Sequence, residues 1–239
     1  MSPAITDVNA QATSDDFEFA ALQEAVNYRR SLLEEFSPYL RGRVLEVGAG
    51  IGQTTRALAK LPQVETIDAL EPDARFFAKL VEQKIKARCL GGTVADLDPY
   101  LLYDGILYVN VLEHIEDHAG ELARIRGHLK PGGHLCLFVP AGPSIYAPID
   151  KAFGHFRRYT RVEVKGLLEK AGFRVQQVHY YNSLGFFAWW FNFCVLKRTH
   201  FEPRKVRFYD RYLFPLVHTL ETRLARPPFG QSLLAIAQA

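Results

Sequence analysis

The sequence predicts an α/β chain organised around a doubly wound parallel sheet. Three observations carry that expectation. Short apolar runs alternate with segments whose apolar residues recur at helical spacing. The first of these runs, RVLEVG at 43–48, empties into a glycine-rich turn, Gly48-Ala49-Gly50-Ile51-Gly52, with helix-like sequence directly behind it. The second ends in Leu70-Glu71-Pro72-Asp73, placing an acidic residue where such sheets reach the sugar hydroxyls of a nucleotide-like ligand.

Taken in order, residues 1–16 are rich in Ser, Asp, Ala and Thr and read as a flexible tail. Apolar residues at helical spacing predict one helix over 17–36, ended by Ser37-Pro38 because the residue before proline is pushed out of the helical region. Strands are expected over 43–48, 64–71, 87–94, 103–111, 134–141 and 173–181, and helices over 52–61, 74–83 and 116–130. Lys130-Pro131-Gly132-Gly133 reads as a turn without a ligand role, since proline breaks the helix and the glycines permit the reversal. A helix is expected over 160–171, with Thr160 as N-cap and Gly172 as its stop. The final run, SLLAIAQA at 232–239, is apolar enough for a strand inside a sheet. Two pieces interrupt the alternation. Residues 142–159 form a loop rich in Pro, His, Arg and Tyr, expected at the C-terminal face of the sheet, and 183–226 read as two helices inserted between the last two strands. Residues 17–239 are expected to form a single domain.

Composition narrows the function. With 48% apolar residues, 23% charged residues and a net charge of +3, the balance is ordinary for a soluble domain and too weakly basic to argue for nucleic acid. Cys89, Cys136 and Cys194 lack metal-ligand spacing and read as reduced thiols of a cytoplasmic protein; no metal is expected. The first 16 residues lack the apolar core of a signal peptide. The longest apolar run, at 184–196, is interrupted by Asn192 and falls short of the roughly 20 residues needed to span a bilayer. The expected state is a monomer or homodimer.

The glycine turn discriminates between cofactors. A dinucleotide site favours Gly-x-Gly-x-x-Gly, whereas Gly48, Gly50 and Gly52 are spaced one residue closer. Glu46 lies just before them; a carboxylate there repels a diphosphate and suits a ligand carrying an amine and a sulfonium.

VLEVGAGIG is followed in order by LEPD, by Asp96 in GTVADLD, and by YDGILYVNVLEHIEDH, LKPGGHLCLFVP and HFRRYTRVEVKGLLEKAGFRV. Over residues 40–176 the chain thereby resembles the class I S-adenosylmethionine-dependent methyltransferases, most closely the type 11 and type 12 subgroup. The resemblance implies S-adenosylmethionine as cofactor, with S-adenosylhomocysteine as its product. It implies a Rossmann-like seven-stranded sheet whose last strand is antiparallel and forms a hairpin with the sixth. It further implies that Gly48, Ala49 and Gly50 pack against the methionyl part and the ribose, and that Glu46 helps to hold the amino group. Glu71 would take the ribose hydroxyls, and Gly52 and Pro72 are counted with this set. Asp96 would bond the adenine amino group with Leu97 beside the ring, and Asn110 and Val111 would meet the methionyl end through main chain. Tyr28 reads either as a lid over the cofactor or as a packed helix aromatic.

On the substrate side, a sulfonium makes the methyl group intrinsically reactive, so alignment and exclusion of water are the main requirements. A hydroxyl or protonated amine acceptor also needs a base; a carboxylate does not. His155 is the first candidate base, histidine being the side chain that ordinarily titrates near neutrality. The other reading is a loop histidine that fastens the lid. His114 and Tyr159 complete the candidate catalytic set, His114 equally as a support. Arg157 and Arg158 read as anion binders for the substrate or as partners of Asp150 or a helix end. Glu113, Glu116 and Asp117 read as a charge cluster at a helix start. Trp189 and Trp190 lie in an aromatic-dense run, NSLGFFAWWFNFCVLKR, which reads as simple packing, as the roof of an apolar acceptor pocket, or as a peripheral membrane contact through 184–198. The favoured function is methylation, most simply O-methylation, of a small and partly apolar acceptor in secondary metabolism. The alternatives are a lipid or glycan intermediate at a membrane surface and a noncatalytic S-adenosylmethionine-binding partner protein. A nicotinamide oxidoreductase is disfavoured by the glycine spacing and Glu46.

Overall fold

A computed structural model describes residues 24–223 and 225–239. The expected tail and the first turns of the helix expected from residue 17 lie outside them. The first described helix, α1, is Val26–Phe36, and Ser37–Tyr39 adds a 3-10 turn where Pro38 ends it.

The sheet has seven strands in the order β3-β2-β1-β4-β5-β7-β6: β1 Gly42–Val47, β2 Val64–Glu71, β3 Arg88–Gly91, β4 Tyr103–Val109, β5 Leu129–Pro140, β6 Arg174–Tyr181 and β7 Ser232–Gln238. β7 runs antiparallel between β5 and β6, and the remaining pairings are parallel. Chain order reverses between β1 and β4, so their C-terminal ends form the crevice at which open α/β sheets bind ligands. The inner strands are mostly apolar because helices cover both faces. Leu45, Ile106, Tyr108, Leu135 and Leu137 belong to one buried cluster, and Val44, Leu107, Phe138 and Leu234 to the cluster on the opposite face.

The connecting helices are α2 Gln53–Leu58, α3 Ala74–Glu82, α4 His118–Gly127, α5 Pro148–Ala152 and α6 Arg161–Lys170. α6 is capped reciprocally: Thr160 Oγ1 accepts from the Glu163 N–H at 3.3 Å while Glu163 Oε2 accepts from the Thr160 N–H at 2.7 Å. It stops at Gly172, whose φ of +86° is left-handed.

Three expectations are corrected. Lys130-Pro131-Gly132-Gly133 is not a free turn but a bulge within β5: Tyr103 pairs with Leu129, and Gly105 already pairs with His134. The bulge tolerates a proline and a glycine with φ of +80° because it sits where ladder bonding is interrupted. The loop at 142–159 carries a 3-10 turn, Pro143–Ile145, and α5. The strand expected over 87–94 is only four residues long.

The insertion contains α7 Ser183–Trp189, continued by a π-turn Trp190–Val195, then α8 Pro203–Phe208, a π-turn Tyr209–Leu213 and α9 Phe214–Arg223. The second π-turn widens the backbone just before Pro215, the residue that lacks an N–H. Two buried carboxylates anchor the insertion by capping other helices. Asp210 accepts from the Asn27 and Tyr28 N–H groups at 2.9 and 2.8 Å, at the start of α1. Glu221 accepts from the Asn182 and Ser183 N–H groups at 3.0 and 2.6 Å, at the start of α7.

Candidate active site

A cleft of about 990 Å³ opens at the chain reversal, walled by the glycine turn, the end of β2, the turn after β3, the end of β4 and α1. Left-handed main chain marks its floor. Gly48 and Gly50 have φ of +69° and +55°. A Cβ on Gly48 would sit 2.4 Å from Val111 Cγ2, so the turn and the end of β4 close upon each other only with glycine there. Asn110, the next residue of that wall, is itself left-handed at φ +52°, a conformation asparagine tolerates.

Two carboxylates stand in this cleft. Glu46 is buried and accepts from Thr55 Oγ1 at 2.6 Å. Burial pushes its carboxyl up to about 8 against the Thr55 hydrogen bond, and the nearby charge of Glu71 adds to the rise. Glu71 is fixed by two main-chain donors, the Gly50 N–H at 2.7 Å to Oε2 and the Asp73 N–H at 2.9 Å to Oε1. Burial raises its carboxyl too, despite those donors. A buried pair of carboxyl groups whose ionisation is suppressed by burial gains most from a ligand that brings a cation or hydroxyl donors.

A second cavity of about 380 Å³ lies beneath the insertion. Ala25, Tyr28, Asn110 and Phe153 line both spaces, so the two adjoin there. Trp189, Phe193 and Phe201 make the far wall apolar; Trp189 is fixed by donating from Nε1 to Ile145 O at 3.1 Å. Opposite stands a buried polar group. Asp150 Oδ1 accepts from Arg158 Nε at 2.8 Å and lies 2.9 Å from His155 Nδ1, and Oδ2 accepts from the Ala147 N–H at 2.8 Å. Burial pushes the Asp150 carboxyl up, but His155 and Arg158 outweigh it and hold it below the ordinary aspartate value. An ionised Asp150 assigns the His155 proton to Nδ1 and leaves the Nε2 lone pair directed away. Nε2 is buried with no hydrogen-bond partner among the described residues and lies 4.0 Å from Glu113 Oε1. His114 meets the His155 ring edge-on at 4.7 Å, and burial followed by the neighbouring His155 brings His114 down to about 4.

The expected cofactor residues Tyr28, Glu46, Gly48, Ala49, Gly50, Glu71, Pro72, Asn110 and Val111 all line the cleft. Tyr28 also packs in an aromatic cluster, 5.0 Å from Phe214 and 5.3 Å from Tyr181, and stands between the two cavities. Three others are placed differently. Gly52 starts α2 and faces Leu80 and Ile85, where a Cβ would come within 2.7 Å of each. Asp96 Oδ2 accepts from Thr93 N and Oγ1 at 2.8 Å each, closing its own turn; Thr93, Val94 and Ala95 line the cleft, while Asp96 and Leu97 do not.

On the acceptor side, His155, Arg158 and Trp189 line the second cavity and His114 lines the first. Tyr159 lies outside both; it is buried and donates to Leu112 O at 3.2 Å. Arg157 latches the loop by donating to Ile115 O and Glu116 O at 3.3 and 3.0 Å. Arg158 belongs to Asp150 and stacks over Trp189 at 4.1 Å. Trp190 points to solvent. Glu113 corrects the reading of a helix-start cluster: α4 begins later, capped by Asp117 accepting from the Gly120 N–H at 2.9 Å, and Glu113 is buried in the Leu112–His114 turn at the second cavity. With His114 and His155 it also brings three potential ligand atoms within 4.8 Å of one another, a donor set able to take a cation where none was expected. The sequence held no local sign of it, because residues some 40 positions apart build it.

A family model described as a methyltransferase domain matches residues 20–178. A ubiquinone biosynthesis O-methyltransferase of Rickettsia felis is 34% identical over 94 residues, 38% of this chain and 38% of that protein. A trans-aconitate 2-methyltransferase of Deinococcus radiodurans is 34% identical over 106 residues, 44% of this chain and 39% of that protein. The chain thus spans about two-fifths of the length of these curated relatives. Among solved structures, the 1,6-didemethyltoxoflavin-N1-methyltransferase of Burkholderia thailandensis, with bound 1,6-didemethyltoxoflavin and S-adenosylhomocysteine, superposes with a TM-score of 0.57 at 18% identity, covering 100% of this chain and 92% of that one. At that identity the likeness shows the fold alone.

Proposed function

The chain belongs to the methyltransferase-domain family, and from that premise we propose that it transfers a methyl group from S-adenosylmethionine to a small, partly apolar acceptor, most simply to an oxygen. The observation that carries this reading is the junction of two unlike spaces at Tyr28, Asn110 and Phe153: a cleft with buried carboxylates on one side and an apolar cavity with a buried histidine on the other.

The residues present fit the cofactor. Glu46 and Glu71 would face its ammonium and ribose hydroxyls, and the left-handed main chain at Gly48 and Gly50 lines the cleft beside them. When bound, the cofactor supplies an electrophilic methyl group that needs no further activation. The protein aligns the acceptor and takes its proton. His155 Nε2 is the accepting atom. Asp150 holds the ring through Nδ1, and Glu113, 4.0 Å beyond Nε2, stabilises the charge that forms. The apolar wall at Trp189, Phe193 and Phe201 selects an acceptor with an apolar body and excludes water from the transfer. The named activities of the curated relatives, a ubiquinone biosynthesis O-methyltransferase and a trans-aconitate 2-methyltransferase, support a small-molecule acceptor.

Incubation of the purified protein with isotopically labelled S-adenosylmethionine and a fractionated small-molecule extract tests this. Label should appear in an apolar, low-mass fraction. Cofactor binding without label transfer to any fraction would favour a noncatalytic binding partner, and label in protein or nucleic acid would overturn the acceptor class.

A further inference from the structure

The insertion is apolar on two sides. Gly185, Trp189 and Phe193 face inward from α7 and its π-turn, as Phe214 does from α9. On the outside, Leu184, Phe187, Trp190, Phe191 and Val195 form one stripe at helical spacing. Phe208, Tyr212, Leu216 and Leu220 form another, each four residues from the next. These side chains are 37–65% exposed, so two adjacent helices both keep a large apolar stripe in water after satisfying the core.

The charged residues around the stripes are mostly basic. Lys197, Arg204 and Arg211 are exposed cations between or within them, while Arg198 and Lys205 pair with Glu202 at 2.7 and 2.6 Å and Arg207 pairs with Glu24. Glu202 is the exposed acid of the same stretch, since Asp210 and Glu221 are buried as helix caps. A second copy of the chain packed on this face would bring two such basic clusters together. An anionic lipid surface complements both properties: aromatic and aliphatic side chains enter the headgroup boundary while the cations meet phosphate. No described helix is long and apolar enough to cross a membrane, so the contact is in the plane of the surface.

The cavity beneath adds direction. Phe208 and Leu213 are exposed apolar residues of the insertion and also line the second cavity, together with Lys205 and Arg198. An apolar path therefore runs from the outer face of the insertion to Asn110 beside the cleft. We propose that the insertion at 184–220 seats the protein on an anionic lipid bilayer, and that the second cavity draws an amphiphilic acceptor from that bilayer. The surface contact is independent of the methyltransferase reading; the route of the acceptor rests on it.

Flotation of the full chain with vesicles of phosphatidylcholine alone, or of phosphatidylcholine mixed with phosphatidylglycerol, tests the contact. The protein should float with the mixed vesicles, release as salt is raised, and show a blue shift of tryptophan emission as Trp190 enters the interface. Charge reversal at Arg204→Glu and Arg211→Glu should weaken binding at least about tenfold. The triple variant Phe187→Ser, Trp190→Ser, Phe191→Ser changes only exposed side chains and should lose the vesicles while binding S-adenosylmethionine as the parent does. Failure to float with either vesicle overturns the proposal, as does flotation unchanged in both variants. A solution homodimer, by light scattering, that the aromatic variant dissociates would also overturn it and assign the face to a second copy. Loss of cofactor binding in the parent, with flotation intact, would instead sink the methyltransferase reading.

Discussion

The two ends of the crevice are built by different means. On the β1–β2 side the site is mostly main chain: two left-handed glycines, Gly48 and Gly50, and two N–H groups that hold Glu71. On the β5–β7 side it is side chains from distant segments. Asp150, His155 and Arg158 come from one loop, Glu113 and His114 from another, and Trp189 from the insertion. The first kind of site recognises what many substrates share, a common cofactor. The second can change residue by residue while the sheet stays as it is, and on the proposed function it is there that an acceptor would be chosen.

If the two sides act separately, each should fail separately. The largest effect is expected at His155→Ala: turnover falling about 10²–10⁴-fold, as for loss of a general base, with cofactor affinity unchanged. A matching loss of cofactor affinity would break the separation. Next, Glu71→Ala removes an acceptor held by two N–H donors and should weaken cofactor binding about 10–100-fold, measured by calorimetry, with turnover at saturating cofactor little altered. The smallest effect is on stability. Because burial pushes the Glu46 carboxyl up to about 8 in the folded protein from an ordinary value of 4.5, the native state holds a proton that the unfolded chain releases, and stability falls as pH rises between those values. Glu46→Gln should therefore raise urea-unfolding stability at neutral pH by about 1–2 kcal/mol, with the gain vanishing below about pH 4.5. A constant gain at all pH values would place its cause outside this titration.

The same contrast explains what could be read from the chain alone. The strands, the glycine turn and the acidic end of β2 are local patterns, and each lines the cleft where expected. The resemblance sets Asp96 against the adenine; in the fold its Oδ2 closes the Thr93 turn, a local hydrogen bond the motif does not announce. Glu113 looked like the first acid of a helix because Glu116 and Asp117 follow it. Only the docking of the 150–158 loop buries it, and nothing within a few residues signals that. Arg157, Arg158 and Tyr159 share one short motif but diverge in fate: a latch on two carbonyls, a partner for Asp150 and a core hydroxyl. Trp189 and Trp190 are adjacent on a helix and so point to different sides, one into the cavity and one into solvent.

Glu46 is a buried carboxyl that burial keeps protonated near neutral pH. Calorimetric titration of S-adenosylmethionine near neutral pH, in buffers of different ionisation heat, reads the proton that Glu46 must give up to pair with an ammonium group. The expected result is binding with net proton release that Glu46→Gln abolishes, and no binding of NAD. Binding of NAD in place of S-adenosylmethionine, or S-adenosylmethionine binding with identical proton release in parent and variant, would contradict it.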